Sequence, residues 1–169
     1  WSGMAPLHDI VALFASLLFL AALAAGAGYL TRRSRRRQLW ARQRDLGTLR
    51  AMSWQEFEQL AGETFRRLGY QVRETGGGGA DGGSDLILSK KDRRIVVQCK
   101  HYKRRSVGVP IVREIVGVAI HEKAQGAFVV TTGSFTKAAQ TYALGKPLTL
   151  IDGPALLQLI EQGREKRSS

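Results

Sequence analysis

The spacing of hydrophobic and polar positions changes several times along the chain, and each change predicts an element. Residues 10–30, "IVALFASLLFLAALAAGAGYL", carry no charge. As a helix this run reaches about 32 Å, enough to cross a bilayer core. Polar residues dominate 31–50, where "QLWARQRDLGTLR" reads as a helical or partly ordered spacer. From Ser53 the pattern turns amphipathic. Trp54, Phe57, Leu60, Ala61, Phe65 and Leu68 recur at helical spacing, Ser53 and Glu56 form a capping box, and Gly69 supplies the stop. Shorter apolar runs follow: a strand at 70–74, a glycine-rich loop, and two strands within 85–100 joined by a tight charged turn. Pro110 opens a second helix, "PIVREIVGVAIHEKA", and "GAFVVTT" (126–132) is a continuous apolar run of the buried-strand kind. A helix near 135–144, a strand at 147–151 and a helix at 154–162 complete the series, with Asp152 capping the last. The end, "EQGREKRSS", reads as frayed.

A hairpin makes the sheet partly antiparallel, and the strand–helix–strand crossings make it partly parallel. The expected fold class is therefore α/β with a mixed sheet, preceded by one transmembrane helix. The expected organisation is an anchor over 1–30, a basic juxtamembrane spacer over 31–50, a globular domain over 51–162 and a flexible tail over 163–169.

Charge sharpens the reading of the first segment. The net charge is +12, but residues 31–50 alone hold eight Arg against Asp45. Five of these, Arg32, Arg33, Arg35, Arg36 and Arg37, directly follow the apolar run, and no Lys or Arg precedes it. "AGA" at 25–27 resembles a signal cleavage site, yet the flanks and the length favour an uncleaved single-pass anchor. The one-sided Arg cluster puts the C-terminal domain in the cytoplasm, in a bacterial inner membrane, with Arg32–Arg37 meeting anionic headgroups. Cys99 is the single cysteine, which excludes an intrachain disulfide and suits a reducing compartment. His8, His101 and His121 lack metal-ligand spacing, which argues against a structural zinc site.

The hairpin "DLILSKKDRRIVVQCK" (85–100) carries the candidate chemistry. A turn centred on Lys91–Asp92 sets Asp85 opposite Gln98; a turn one residue later sets it opposite Lys100. In either register Gln98 and Lys100 share a face, while Ile95, Val97 and Cys99 turn to the other. Cross-strand neighbours lie about 5 Å apart, so Asp85, Gln98 and Lys100 can converge. A carboxylate and an amide oxygen suit a hard cation such as Mg²⁺, which polarises a phosphodiester and lowers the pKa of a water. A lysine can position that water or stabilise developing charge. The plainer alternative is a surface Asp–Lys cross-strand pair of little energetic weight.

Other signals compete less well. Gly77, Gly79 and Gly82 satisfy G-x-G-x-x-G, but a strand follows where a dinucleotide site needs a helix N-terminus. The glycines suit a flexible loop beside the site. Cys99 and His101 lack an orienting group for thiol catalysis, and Cys99 is expected in the core. His101, Tyr102 and the basic run Lys103, Arg104 and Arg105 adjoin the site and are candidate DNA contacts. Ser134 or Thr136 caps the third helix, where free N–H groups can also receive a phosphate.

Taken together, "WQEFEQLAGETFRRLGY", "GGGGADGGSDLIL", "VVQCKHY" and "VVTTGSFT" resemble the Mrr-type restriction endonuclease family of the PD-(D/E)XK nuclease superfamily. The resemblance runs from about Met52 to Thr136, and more weakly to Ile160. It implies an α-β-β-β-α-β restriction-endonuclease-like core with Asp85 as the metal-binding carboxylate and Lys100 as the catalytic lysine. It puts Gln98 where most of the superfamily has an acidic residue, the Gln-x-Lys variant, and matches Glu58 to the acidic residue that often completes the site. The implied activity is Mg²⁺-dependent hydrolysis of DNA, with Asp85, Gln98 and Glu58 as metal ligands and no small-molecule cofactor. The membrane anchor departs from the soluble restriction enzymes. A homodimer is compatible with the sequence. The rival reading is a catalytically silent nucleic-acid-binding or membrane scaffold that keeps the nuclease fold.

Overall fold

The computed structural model describes residues 7–43, 45–75, 83–102 and 105–168. The chain divides into two units, Trp1–Gln38 and Leu39–Ser169. The first is dominated by a helix, α1 (Leu7–Arg42), whose large apolar side chains, among them Leu13, Phe14, Leu18 and Phe19, are exposed. An 18-residue stretch of it has a mean hydropathy of 2.2, long and apolar enough to cross a membrane. Its Ser16 and Thr31 hydroxyls donate to the carbonyls of Ala12 and Gly28, so neither asks for water.

The second unit opens with α2 (Leu46–Ala51), capped by Asp45 with Thr48, and α3 (Trp54–Arg67), capped by the Ser53–Glu56 box. Three antiparallel strands follow: β1 (Gln71–Glu74), β2 (Leu86–Lys90) and β3 (Arg93–Lys100). Then come β4 (Ser106–Val107), α4 (Val109–His121), β5 (Gly126–Thr131), β6 (Ser134–Phe135), α5 (Lys137–Ala143), β7 (Leu148–Ile151) and α6 (Gly153–Ser168). The five-stranded sheet runs β1-β2-β3-β5-β7, with β5 and β7 parallel to β3. The mixed sheet and the α-β-β-β-α-β order thus form as the pattern predicts.

Alternation along the strands builds a core on each face. Leu86, Ile95, Val97 and Cys99 pack with Phe57, Leu60 and Phe65 of α3 and with Leu156 and Ile160 of α6. Ile87, Val96 and Val129 pack with Val112 and Ile115 of α4 and Ala139 of α5. Both faces of β3 are covered, which is why its middle is apolar without interruption.

Four local features differ from the sequence reading. The globular unit begins at Leu39, earlier than 51, because Trp40 and Leu49 are core residues. The tail is helical as far as Ser168, since α6 packs where a frayed end would not: a Cβ on Gly163 would lie 3.4 Å from the Trp40 ring, and Arg164 donates to the Gln43 carbonyl. The Trp40 ring lies between the guanidinium groups of Arg67 (3.9 Å) and Arg164 (5.3 Å). Trp54, counted in the apolar stripe of α3, is exposed in the helix's first turn. The paired two-residue strands β4 and β6 are too short to leave a periodic trace.

Candidate active site

Asp85 lies at the point where β1, β2 and β3 come together. Thr75 N–H donates to its carbonyl (3.1 Å), and its own N–H donates to the Val97 carbonyl (2.9 Å), so its backbone is held from both sides. The β2–β3 ladder pairs Leu86 with Val97, which settles the register: the turn is centred on Lys91–Asp92 and Asp85 falls opposite Gln98. Where the ladder ends, the Asp85 side chain takes over as acceptor. Its Oδ2 receives Gln98 Nε2 (2.7 Å) and the Cys99 backbone N–H (2.6 Å). Asp85 and Gln98 are both buried, each 6% exposed.

Glu58 reaches the same point from α3. It is half-buried, beside the fully buried Phe57 at the edge of the packed face of α3. Its Oε1 is buried without a hydrogen-bond partner. Burial first, then the Asp85 charge, the hydrogen bond it donates to Asp85 and the Glu74 charge push the Glu58 carboxyl up to about 8, against the opposing pull of Lys100. Asp85 is raised as well, by burial, although the Cys99 N–H and the charge of Lys100 act the other way. The two carboxyls therefore meet around a shared proton, with Glu58 as its holder. Lys100, half-buried at the end of β3, shares the Gln98 face.

The raised carboxyl predicts a pH dependence. Between 4.5, the ordinary Glu value, and about 8 the folded domain binds more protons than the unfolded chain. Its stability without metal is then fully present below that window and is lost as pH rises through it. Glu58→Gln should flatten the slope. A melting temperature that holds constant or climbs over this range would contradict the arrangement.

The end of β3 is held by residues to which the sequence reading gave no such part. Thr131 Oγ1 donates to the Lys100 carbonyl (2.7 Å). His101 is bound at both ring nitrogens, Nε2 to the Met52 carbonyl (2.8 Å) and Nδ1 to Thr132 Oγ1 (3.1 Å), and its ring lies 5.3 Å from that of Phe57. His101 thus ties β3 to α3 and the Met52 turn, and no ring nitrogen is left for the DNA contact expected of it. A Cβ on Gly133 would lie 2.4 Å from the Arg105 carbonyl, so only glycine fits under this loop. The "TTG" at the end of β5 was the available signal, readable only once its neighbours are known. Thr132→Val should cost about 1–3 kcal/mol by leaving His101 Nδ1 and the Tyr102 carbonyl without that hydroxyl. Equilibrium unfolding checks it.

Of the other candidates, Tyr102 is half-buried against the α4 core and Arg105 is exposed. Thr136 caps α5 by accepting from Ala139 N–H (3.2 Å), whereas Ser134 lies in β6 and shares a hydrogen bond with Ser106 Oγ (2.7 Å). Of the two caps considered, Thr136 is the one used. Cys99 is buried in the core, and burial raises its thiol well above the ordinary range. Lys103, Arg104 and Gly77, Gly79 and Gly82 lie outside the described residues.

A sequence model of restriction endonucleases, Mrr_cat, matches residues 49–160. The chain belongs to the Mrr_cat restriction endonuclease family. Among solved structures, the DNA modification-dependent restriction endonuclease AspBHI is similar at a TM-score of 0.53 and 21% identity, over 66% of this chain and 33% of AspBHI. The MspJI restriction endonuclease in complex with a 27-mer oligonucleotide gives 0.46 and 21%, over 75% of this chain and 35% of MspJI. The chain spans about a third of either enzyme. The likeness to AspBHI shows a shared fold. No curated protein matches the sequence.

For an Mrr_cat domain a divalent cation has to be tested against the residues present. Among the described residues no three His, Cys, Asp or Glu side chains cluster as ligands. The donors at hand are the carboxyls of Glu58 and Asp85 and the amide of Gln98, all oxygen ligands of the kind a hard cation takes. The orphaned Glu58 Oε1 and the two carboxyls forced together are what a cation would satisfy. The set fits. Gln98 now turns its NH₂ toward Asp85, so its oxygen serves only after the amide rotates.

Proposed function

We propose that this Mrr_cat domain hydrolyses DNA phosphodiester bonds with Mg²⁺ and is held at the membrane by α1. The observation that carries the reading is the meeting of Glu58 and Asp85, one oxygen unpartnered, beside Gln98 and Lys100. Glu58, Asp85 and the Gln98 oxygen hold the cation. When bound, it supplies Lewis-acid polarisation of the scissile phosphate and a lower pKa for the attacking water. Lys100 orients that water or offsets charge gathering on the phosphate, from a position fixed by the Thr131 bond to its carbonyl. His101 and Thr132 keep the end of β3 in place.

Incubation of the protein with methylated and unmethylated duplexes, in Mg²⁺ and in a chelator, tests the proposal. Cleavage in Mg²⁺ alone supports it. Binding without cleavage in any divalent cation supports the silent scaffold.

The anchor has its own expected outcome. The run of charge-free exposed side chains from Val11 to Leu30, followed by Arg32–Arg37, orients the chain with residue 1 periplasmic and residue 169 cytoplasmic. A C-terminal reporter active only in the periplasm would contradict this, as would recovery of a soluble processed chain.

A further inference from the structure

The parallel strands β3 and β5 both end at the edge that carries Lys100, where Lys100 pairs with Thr131. The chain leaves each strand through one half of the β4–β6 ladder, and Thr136 N–H donates to the Val107 carbonyl. The helices α4 and α5 therefore start side by side at the edge of the candidate active site. Between them runs an open groove of about 550 Å³ lined by Val109, Arg113, Lys137, Ala138, Thr141 and Tyr142. Two of the six lining residues are cationic and none is acidic.

Among the described residues no acidic side chain pairs with these charges. Arg113 lies 5.4 Å from the centre of the Tyr142 ring, and Lys146 Nζ lies 4.3 Å from it. One aromatic ring thus holds two cations that repel each other. Arg113, Lys137 and Lys146 are exposed, and none forms an ion pair with a described acidic side chain. Positive side chains packed this closely stand ready for an external polyanion, and they gain by releasing the counterions that a polyanion carries.

We propose that this groove binds the DNA phosphate backbone alongside the cleavage site. The inference rests on the nuclease reading for the identity of its occupant. Adjacent strands lie about 4.8 Å apart, so a duplex with its scissile phosphate near Lys100 on β3 passes the starts of α4 and α5 within a few base-pair steps. The groove then supplies affinity and register, and the chemistry stays with the residues around Asp85.

The test uses the full chain in detergent and duplexes of two lengths, one covering the active site alone and one reaching past it. In Arg113→Ala/Lys137→Ala the longer duplex should bind on the order of tenfold or more weakly, and the magnitude of the salt slope should fall by about 2, near one per phosphate contact. Turnover at saturating DNA should be unchanged. Arg113→Lys/Lys137→Arg should restore the slope. Arg93→Ala, exposed at the opposite end of β3, should leave it as it was. Full affinity and slope in the alanine pair would overturn the proposal, as would a loss confined to anionic lipid vesicles. Absence of cleavage by the unaltered chain, with groove-dependent DNA binding intact, would remove the nuclease reading alone.

Discussion

Lys100→Ala and Asp85→Asn are each expected to reduce DNA cleavage on the order of a thousandfold or more while leaving most DNA affinity in place. Basic surface supplies the bulk of phosphate attraction, whereas these two positions serve the reaction. Lys100 is the cleaner test of the pair. Its side chain is half-buried at the end of β3 and acts on Asp85 and Glu58 by its charge. Asp85 is also a structural acceptor for the Cys99 N–H, and an alanine there would leave that donor unpaired at a cost of about 1–3 kcal/mol. Asparagine keeps an oxygen for it and removes the charge that a cation needs. Turnover undiminished in either variant would remove the assignment.

Mg²⁺ is expected to bind weakly to the free protein and at least about fivefold more tightly beside an uncleavable duplex, the low end of a coupling of about 1–3 kcal/mol. Glu58 holds a proton that the cation must displace, and Gln98 offers a neutral oxygen where a third charge would help. Mg²⁺ sheds its waters reluctantly and is ordinarily held by one or two carboxylates plus substrate phosphate. The scissile phosphate should complete the set, and DNA and metal should strengthen each other's binding by the same factor. Gln98→Glu should raise Mg²⁺ affinity in the free protein. Calorimetry decides between the accounts: equal affinity with and without DNA would remove both Gln98 and the phosphate from this role.

Much of this was legible in the residues. The amphipathic stripe from Phe57 to Leu68 and the hairpin's alternation name their elements because burial writes itself as period. The convergence of Asp85 with Gln98 follows from a turn on Lys91–Asp92 and the two-residue repeat of a strand. Glu58 was a different matter. Its place at the edge of the stripe left a solvated residue and a site residue both open, and no local pattern shows that the fold brings its carboxyl to Asp85. The part His101 plays in the fold was hidden for a related reason. Its neighbours in sequence are basic, but its partners Met52 and Thr132 lie 49 and 31 residues away, and no local pattern encodes them. The start of the globular unit at Leu39 was hidden likewise, since Trp40 sits in a polar stretch and is buried by partners far along the chain, among them Arg67, Gly163 and Arg164.

The central claim is that Glu58, Asp85 and Gln98 form a cation site at the end of β3. Crystals of the protein grown with Mn²⁺ and an uncleavable duplex would test it directly through anomalous scattering. The account predicts a peak bound by the carboxyls of Asp85 and Glu58 and by an oxygen of a DNA phosphate. An ordered duplex with Glu58 and Asp85 still sharing a proton and no peak between them would contradict it.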